Sequence, residues 1–143
     1  MKNVARFISQ NCVPVYNRLL MKKQQLQNSL QQLKRKIAEE ICSLGVKQEK
    51  ALKLLDANSV TLERKERKTR EYWYLRFWDP NNYNKRRAIY VGTREKALKI
   101  RQIWEKFDME RSRILDSMRA IEAMMEEFEE FAEFLKRVER VKE

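Results

Sequence analysis

The sequence that decides the fold is EYWYLRFWDPNNYNKRRAIYVG, residues 71–92, where aromatic and β-branched residues surround a group of turn formers. The segment DPNN at residues 79–82 predicts a turn, because Pro80 presets φ and asparagine tolerates positive φ. The residues on both sides alternate as strands with one buried face do. The stretch therefore predicts a β-hairpin, and Val60 and Leu62 ahead of it predict a third strand.

Alternation along the hairpin assigns its two faces, because successive side chains of a strand point to opposite sides. Trp73, Leu75 and Phe77 form the drier side of one strand, and Ile89 and Val91 continue that side on the next. We expect these five residues to anchor the sheet on the helices. The opposite face is predicted to carry Tyr72, Tyr74, Arg76, Trp78, Arg86 and Tyr90.

Long helices are predicted on both sides of the hairpin. The chain has two glycines, two prolines and charged residues at 37% of positions, a composition typical of helices with a solvated side. Apolar residues recur at heptad spacing at Leu19, Leu26 and Leu33, and again from Ile100 to Leu135. The sequence therefore predicts a mainly α protein, with a long antiparallel helical hairpin (coiled coil) and a two- to three-stranded antiparallel sheet at one end.

These patterns divide the chain into three segments. Residues 1–58 are predicted to hold a short N-terminal helix, which Pro14 ends, and then the first long helix. Residues 59–92 form the basic aromatic sheet, with residues 67–70 interpreted as a basic linker. Residues 93–143 form the C-terminal long helix.

Charge is distributed unevenly along the chain. The formal net charge is +11, with +7 on residues 1–60, +8 on residues 61–101 and −4 on residues 102–143. A basic protein need not have a special partner. The clustering of positive charge around aromatic strands nevertheless favours a polyanion.

The two long helices are predicted to lie antiparallel. The glutamate-rich residues 122–134 would then lie beside the basic start of the first helix, around Arg18, Lys22 and Lys23. Phe131 and Phe134 make the apolar stripe of the last helix wider than the contact between two paired helices requires. This width indicates either packing of the short N-terminal helix or self-association. The heptad pattern fits pairing within one chain and pairing between chains.

Catalytic and metal chemistry are not predicted. The chain has no histidine, and Cys12 and Cys42 lack the spacing of a zinc site. The carboxylates fall mostly at solvated helical positions, and no glycine-rich loop is present to bind a phosphate. We therefore expect no enzyme activity, cofactor, metal or small-molecule substrate.

The N-terminal sequence and the overall hydropathy indicate the compartment. Polar residues interrupt the N-terminus where a signal peptide needs an apolar run, and no stretch approaches the roughly 18 apolar residues of a membrane span. The sequence predicts a cytoplasmic protein with no membrane partner.

The specific functional prediction is a nucleic-acid-binding surface on the sheet. Phosphates need fixed positive charge, and bases accept stacking or bidentate donors. The alternative is that tyrosine and tryptophan form cross-strand pairs that hold a small sheet together. The predicted contact residues are Arg64, Lys65, Arg67, Lys68, Arg70, Tyr72, Tyr74, Arg76, Trp78, Lys85, Arg86, Arg87, Tyr90 and Arg94.

The motif YWYxRxW…KRRxxYVG, read within residues 59–104, resembles an uncharacterised family of small bacterial, archaeal and mobile-element proteins. In that family such a hairpin lies between two helices. Members often carry cysteines and a glycine-rich connection ahead of the aromatic strand, where this chain has charged residues. The resemblance implies the fold more than a role.

A weaker likeness is to the arm-type DNA-binding domain of tyrosine recombinases, in which a three-stranded sheet followed by a helix enters the major groove. Tyr74, Arg76, Arg86 and Tyr90 are the matching outward positions. This chain has the longer turn DPNNYNK where that domain has a tight turn, and we expect no recombinase catalytic domain after it.

The sequence predicts one function and leaves one alternative open. The first is a non-enzymatic nucleic-acid-binding protein, with DNA favoured over RNA, that acts as a regulator or accessory factor of a mobile element or virus. The alternative is a coiled-coil interaction module, an inhibitor or scaffold, that binds a protein partner or forms a homodimer through its helices and acidic C-terminal face.

Overall fold

The computed structural model describes residues 2–83 and 85–142, with side chains from Val13 to Val141 apart from Asn84. The elements in chain order are α1 (Lys2–Cys42), α2 (Gln48–Asp56), β1 (Val60–Arg67), β2 (Arg70–Asp79), β3 (Lys85–Gly92) and α3 (Arg94–Lys142). The predicted fold class is confirmed: the chain is mainly helical, with a three-stranded antiparallel sheet between long helices. In the described part of the chain, no helix has the length and apolar character to span a membrane.

α1 is one helix that passes through Pro14. The separate short N-terminal helix that the sequence predicted is therefore absent. A proline inside a helix removes one backbone donor and leaves one carbonyl without its partner. Pro14 is exposed, so this side of the helix faces water, which can hydrate the free carbonyl.

Packing groups the chain into two compact units that cut across both long helices. Met1–Ser29 with Arg113–Glu143 form one, here called the helical unit, and Leu30–Ser112 form the other, the sheet unit. The units differ from the three segments read along the sequence because each half of a long helix packs on the element beside it in space.

Within the helical unit, α1 and α3 run antiparallel. The Tyr16 hydroxyl donates a hydrogen bond to Glu129 Oε1 at 2.8 Å, and Lys23 Nζ lies 3.1 Å from Glu122 Oε1. Seven residues forward on α1 thus correspond to seven residues back on α3, with Met125 buried between these contacts. The predicted match between the basic start of α1 and the acidic end of α3 is present at Lys23.

In the sheet unit, one face of the sheet packs on the three helices. The strands lie in the order β1-β2-β3, and all neighbours are antiparallel. Leu75, Phe77 and Ile89 are buried as predicted, while Trp73 and Val91 are half-buried against the same cluster. The helices contribute Ala38 and Ile41 from α1, Ala51, Leu54 and Leu55 from α2, and Ala97, Ile100, Trp104 and Phe107 from α3.

The connection between β1 and β2 is a two-residue turn. Arg67 pairs with Arg70, and the residues between them, Lys68 and Thr69, have φ of 48° and 70°. Two successive positive φ angles are characteristic of the type I′ hairpin turn, which favours asparagine and glycine. The basic linker that the sequence predicted at residues 67–70 is thus a tight turn, since strand pairing continues up to it from both sides.

Arg111 joins α3 to the end of α2. Its Nη1 donates to the Leu55 carbonyl at 2.6 Å, and its Nη2 donates to the Ala57 carbonyl at 3.0 Å. The same guanidinium lies over the Phe107 ring, 5.4 Å from its centroid, and pairs with Asp108. A charged residue stands in the apolar stripe of α3 because the last carbonyls of α2 need donors.

We predict that Arg111→Met lowers the free energy of unfolding by about 1.5–3 kcal/mol, because two largely buried carbonyls lose charged donors. Arg111→Lys should lose part of this amount, since an ammonium cannot bind both carbonyls as a planar fork does. Urea unfolding followed by circular dichroism measures both variants. Arg119→Met, at an exposed position of the same helix, is the control. Equal stability of Arg111→Met and this control would contradict the assigned role.

We also predict that Lys68→Asn with Thr69→Gly raises the free energy of unfolding by about 1 kcal/mol, because residues that accept positive φ replace two that resist it. Thermal and urea unfolding measure the gain. Thr61→Gly, within β1 where extended backbone is required, should instead destabilise the protein. A turn variant no more stable than the parent chain would show that the positive φ angles carry little strain.

Candidate nucleic-acid interface

The face of the sheet that points away from the helices carries nine of the fourteen predicted contact residues. Strand pairing places them in cross-strand rows, with Glu63 opposite Tyr74, and Tyr74 opposite Tyr90. No described residue on this face is buried, and Trp78 and Tyr90 are more than half exposed. The nine are Lys65, Arg67, Arg70, Tyr72, Tyr74, Arg76, Trp78, Arg86 and Tyr90.

Three tyrosines form the centre of this outward face. The Tyr90 ring lies 6.0 Å from that of Tyr72 and 5.4 Å from that of Tyr74, with tilted planes in both pairs. Lys65 Nζ lies 5.1 Å from the Tyr74 ring centroid, a cation–π contact. The cross-strand packing that the sequence offered as an alternative to binding is therefore present, on a face that remains accessible.

The β1–β2 hairpin extends beyond β3. β3 pairs with β2 only between Trp73 and Asp79, whereas β1 continues to pair with β2 as far as Arg67 and Arg70. The extension is thus a two-stranded ribbon whose outward side carries Lys65, Arg67, Arg70 and Tyr72. Its other side holds two ion pairs, from Arg64 to Glu66 at 2.9 Å and from Arg64 to Glu71 at 3.2 Å.

Arg76 lies in the middle of the outward face and is paired with Glu63 on β1. Both side chains are about three-quarters covered, with exposures of 23% and 29%. The pair fixes the guanidinium against the sheet and neutralises its charge. The positive charge of the face therefore comes mainly from Lys65, Arg67 and Arg70 at one end and Arg86 at the other.

The other predicted contact residues lie elsewhere. Lys68 is in the ribbon turn, next to the outward face. Arg64 and Lys85 belong to the opposite side of the sheet by strand register. The Arg94 guanidinium lies at the start of α3, 6.0 Å from the centroid of the Trp73 ring.

Arg87 also lies on the helix-facing side, where it pairs with Asp79. Its Nε donates to Asp79 Oδ2 at 2.7 Å, and the Asn81 amide N–H donates to Asp79 Oδ1 at 3.1 Å. Asp79 is only 2% exposed. Burial alone would raise the pKa of this carboxyl group, but the hydrogen bonds from Arg87 and Asn81 and the positive charge of Arg87 lower it overall.

The β2–β3 turn is connected to two helices through Asn81. Its Nδ2 donates to Asp56 Oδ2 at 3.0 Å, and Lys34 Nζ lies 2.5 Å from Asp56 Oδ1. These groups form a continuous polar network from α1 through α2 to the turn. The network orients the end of the hairpin that carries Trp78 and Arg86.

Glu63 on the outward face and Tyr83 in the β2–β3 turn were missing from the sequence prediction. The outward position of Glu63 can be predicted from the alternation of side chains along a strand. Val60 and Leu62 point to the helices, so Glu63, which is next to Leu62, must point away from them. Tyr83 is fully exposed in the β2–β3 turn with φ of 51°. Its place in a turn is visible in the sequence, but its exposure is not.

We predict that Asp79→Asn destabilises the protein at pH 7, because the half-buried Arg87 guanidinium loses its charged acceptor. The pKa of Asp79 is lowered from its usual 3.8, so its carboxylate stabilises the fold above about pH 4. This stabilisation is lost as pH falls through the lowered folded-state pKa. The stability difference between the parent chain and Asp79→Asn should therefore shrink below pH 4.

Urea unfolding at pH 7, 5 and 3 measures this dependence. Asp116→Asn is the matched control, because Asp116 is 75% exposed and its pair with Arg119 is 3.7 Å long. A difference between the parent chain and Asp79→Asn that stays constant across this pH range would rule out titration of Asp79 as its cause.

Comparison with known proteins found no matching family model, no matching curated protein and no matching solved structure.

Proposed function

We propose that the protein is a non-enzymatic nucleic-acid-binding protein that contacts DNA through the outward face of its sheet. The observation that carries this proposal is the accessibility of that face. Packing on the helices uses the opposite side of the sheet, yet the outward side concentrates tyrosine, tryptophan, lysine and arginine. A role as a regulator or accessory factor fits a protein that acts by binding alone.

The two-stranded ribbon favours duplex DNA. The major groove of B-form DNA is wide enough for a two-stranded β-ribbon, whereas the major groove of A-form RNA is narrow. The outward side of the ribbon carries Lys65, Arg67 and Arg70 without an acidic residue, so it presents positive charge alone to a groove lined by phosphates. Glu66 and Glu71 point to the other side, where Arg64 pairs with both.

The packing of the central tyrosines favours contact with the DNA backbone over stacking on bases. Their rings are packed on one another, and Lys65 lies over the Tyr74 ring. Tyrosine hydroxyls can donate to phosphate oxygens, which set the position of a protein on DNA. Trp78, at 56% exposure, offers a flat surface at the opposite end of the face.

The electrostatic contribution of the basic residues to DNA affinity can be measured from the dependence of that affinity on salt. If Lys65, Arg67, Lys68, Arg70 and Arg86 each neutralise one phosphate of B-DNA, the slope of log affinity against log salt is about −4.5. Arg76 is left out because Glu63 already neutralises it.

We predict that Arg70→Glu with Arg86→Glu lowers affinity for a DNA duplex at least tenfold at about 100 mM salt and reduces the magnitude of the salt slope by about 2. The two residues lie at opposite ends of the outward face, and both are exposed. Fluorescence anisotropy with a labelled duplex, titrated at several salt concentrations, measures both quantities. Competition with double-stranded RNA and single-stranded DNA tests the preference for duplex DNA.

The control variant is Lys47→Glu with Lys50→Glu. It changes the net charge by the same amount at exposed positions at and near the start of α2, away from the outward face. If the two variants weaken binding equally, net charge rather than the sheet determines affinity. If the parent chain binds no duplex at low salt, the proposed function is wrong.

A further inference from the structure

α3 carries a second apolar stripe inside the helical unit. The first stripe packs on α1 and includes Ile121 and Met125, which are buried. The second stripe also has heptad spacing, with steps of four and three residues. Its members are Ala120, Met124, Glu127, Phe131, Phe134, Val138 and Val141.

The second stripe lies to one side of the first. The members from Ala120 to Phe134 each precede a residue of the first stripe by one position, which is a rotation of about 100° around the helix. Met124, Phe131 and Phe134 are 50%, 45% and 57% exposed, and Val141 is 86% exposed. A helix with a single neighbour needs one apolar stripe, whereas two adjacent stripes are typical of a helix in a bundle with two neighbours.

No described segment of the chain covers this stripe, since Phe131 and Phe134 remain about half exposed. α1 continues unbroken from Lys2, so no separate N-terminal helix can fold back onto α3. α2 and the sheet belong to the other compact unit. A covering surface for this stripe can come from another molecule.

The distribution of charge indicates which molecule can cover the second stripe. Residues 13–29 of α1 contain Arg18, Lys22 and Lys23 and no acidic residue, while residues 122–134 of α3 contain six glutamates. A two-fold axis places the same surface of both partners in contact, so each basic α1 can lie beside the acidic α3 of the other copy. A second copy of this chain supplies both the apolar stripe and the complementary charges.

The surface beside Phe134 is also concave. A hollow of about 330 Å³ is lined by Glu129, Glu130, Glu133, Phe134 and Arg137. A hollow on one helix receives a side chain of the facing helix in bundles that pack knobs into holes. A side chain from α1 of a second copy can fill this hollow, which has an aromatic wall and a charged rim.

We infer that the second stripe of α3 is a homodimer interface, in which two helical units associate as a four-helix bundle. Phe131 and Phe134 are its apolar anchors, and Arg18 and Lys22 of each copy face Glu127 and Glu130 of the other. This contact uses none of the residues of the outward face of the sheet, so it stands independently of nucleic-acid binding.

Sedimentation velocity over a range of protein concentrations tests the interface. The parent chain should sediment as a dimer, and Phe131→Ser with Phe134→Ser should weaken the dimer at least about thirty-fold, the loss expected when aromatic anchors are removed from an interface. Met109→Ser removes an equally exposed apolar side chain from the part of α3 in the sheet unit, so this control should leave the dimer unchanged. Helical circular dichroism verifies that each variant is folded.

Charge reversal provides a second test that keeps both phenylalanines. Arg18→Glu with Lys22→Glu makes both facing surfaces acidic, and Glu127→Lys with Glu130→Lys makes both basic, so each variant alone should dimerise poorly. Mixing the two should restore a dimer that contains one copy of each, because every contact between copies is then complementary.

Three results would overturn the interface. A parent chain that remains monomeric at the highest concentration would show that the stripe does not bind a second copy. A dimer that survives Phe131→Ser with Phe134→Ser would place the contact elsewhere. Charge variants that form no mixed dimer, although each is folded, would exclude the proposed facing of α1 and α3.

Discussion

Burial of Leu75, Phe77 and Ile89 on one side of the sheet is the constraint on which the sheet unit depends. A strand has a period of two, so fixing these side chains against the helices fixes every other side chain of β2 and β3 as well. A shift of one residue in register would send Tyr74 and Arg76 into an apolar core. The packing energy of the core therefore also determines which aromatic and basic residues stay accessible, and the outward face is a consequence of it.

Buried charge imposes a second constraint on the same sheet. Asp79 is 2% exposed and lies on the side that faces the helices, where an unpaired carboxylate would be costly. Arg87 satisfies it, and Asn81 extends the polar contacts to Asp56 on α2. The basic residues of β3 thus have two roles: Arg87 pairs with the buried Asp79, while its neighbour Arg86 is exposed on the outward face.

Much of this arrangement could be predicted from the sequence, because alternation over residues 71–92 has few physical solutions. Side chains two residues apart on a strand point to the same face, so Arg64 follows Leu62, and Arg87 follows Ile89, to the side that faces the helices. The prediction that they belong to the binding surface rests on their positive charge alone and is wrong about their side of the sheet. The turn at Lys68 and Thr69 lacks the usual glycine or asparagine, so only the pairing of both strands identifies it. The helix through Pro14 similarly escapes prediction, since local preference opposes it.

The state of the tyrosines limits what the proposed interface can recognise. Tyr90 packs between Tyr72 and Tyr74, and Lys65 lies over Tyr74, so these rings have already used much of their surface within the sheet. Stacking on unpaired bases requires open ring faces, which favours a polymer whose bases are already stacked on each other. In the proposed interface, hydroxyl and guanidinium groups at fixed positions would contact the phosphates. The same packing that stabilises the small sheet therefore favours a duplex over a single strand as the ligand of the proposed interface.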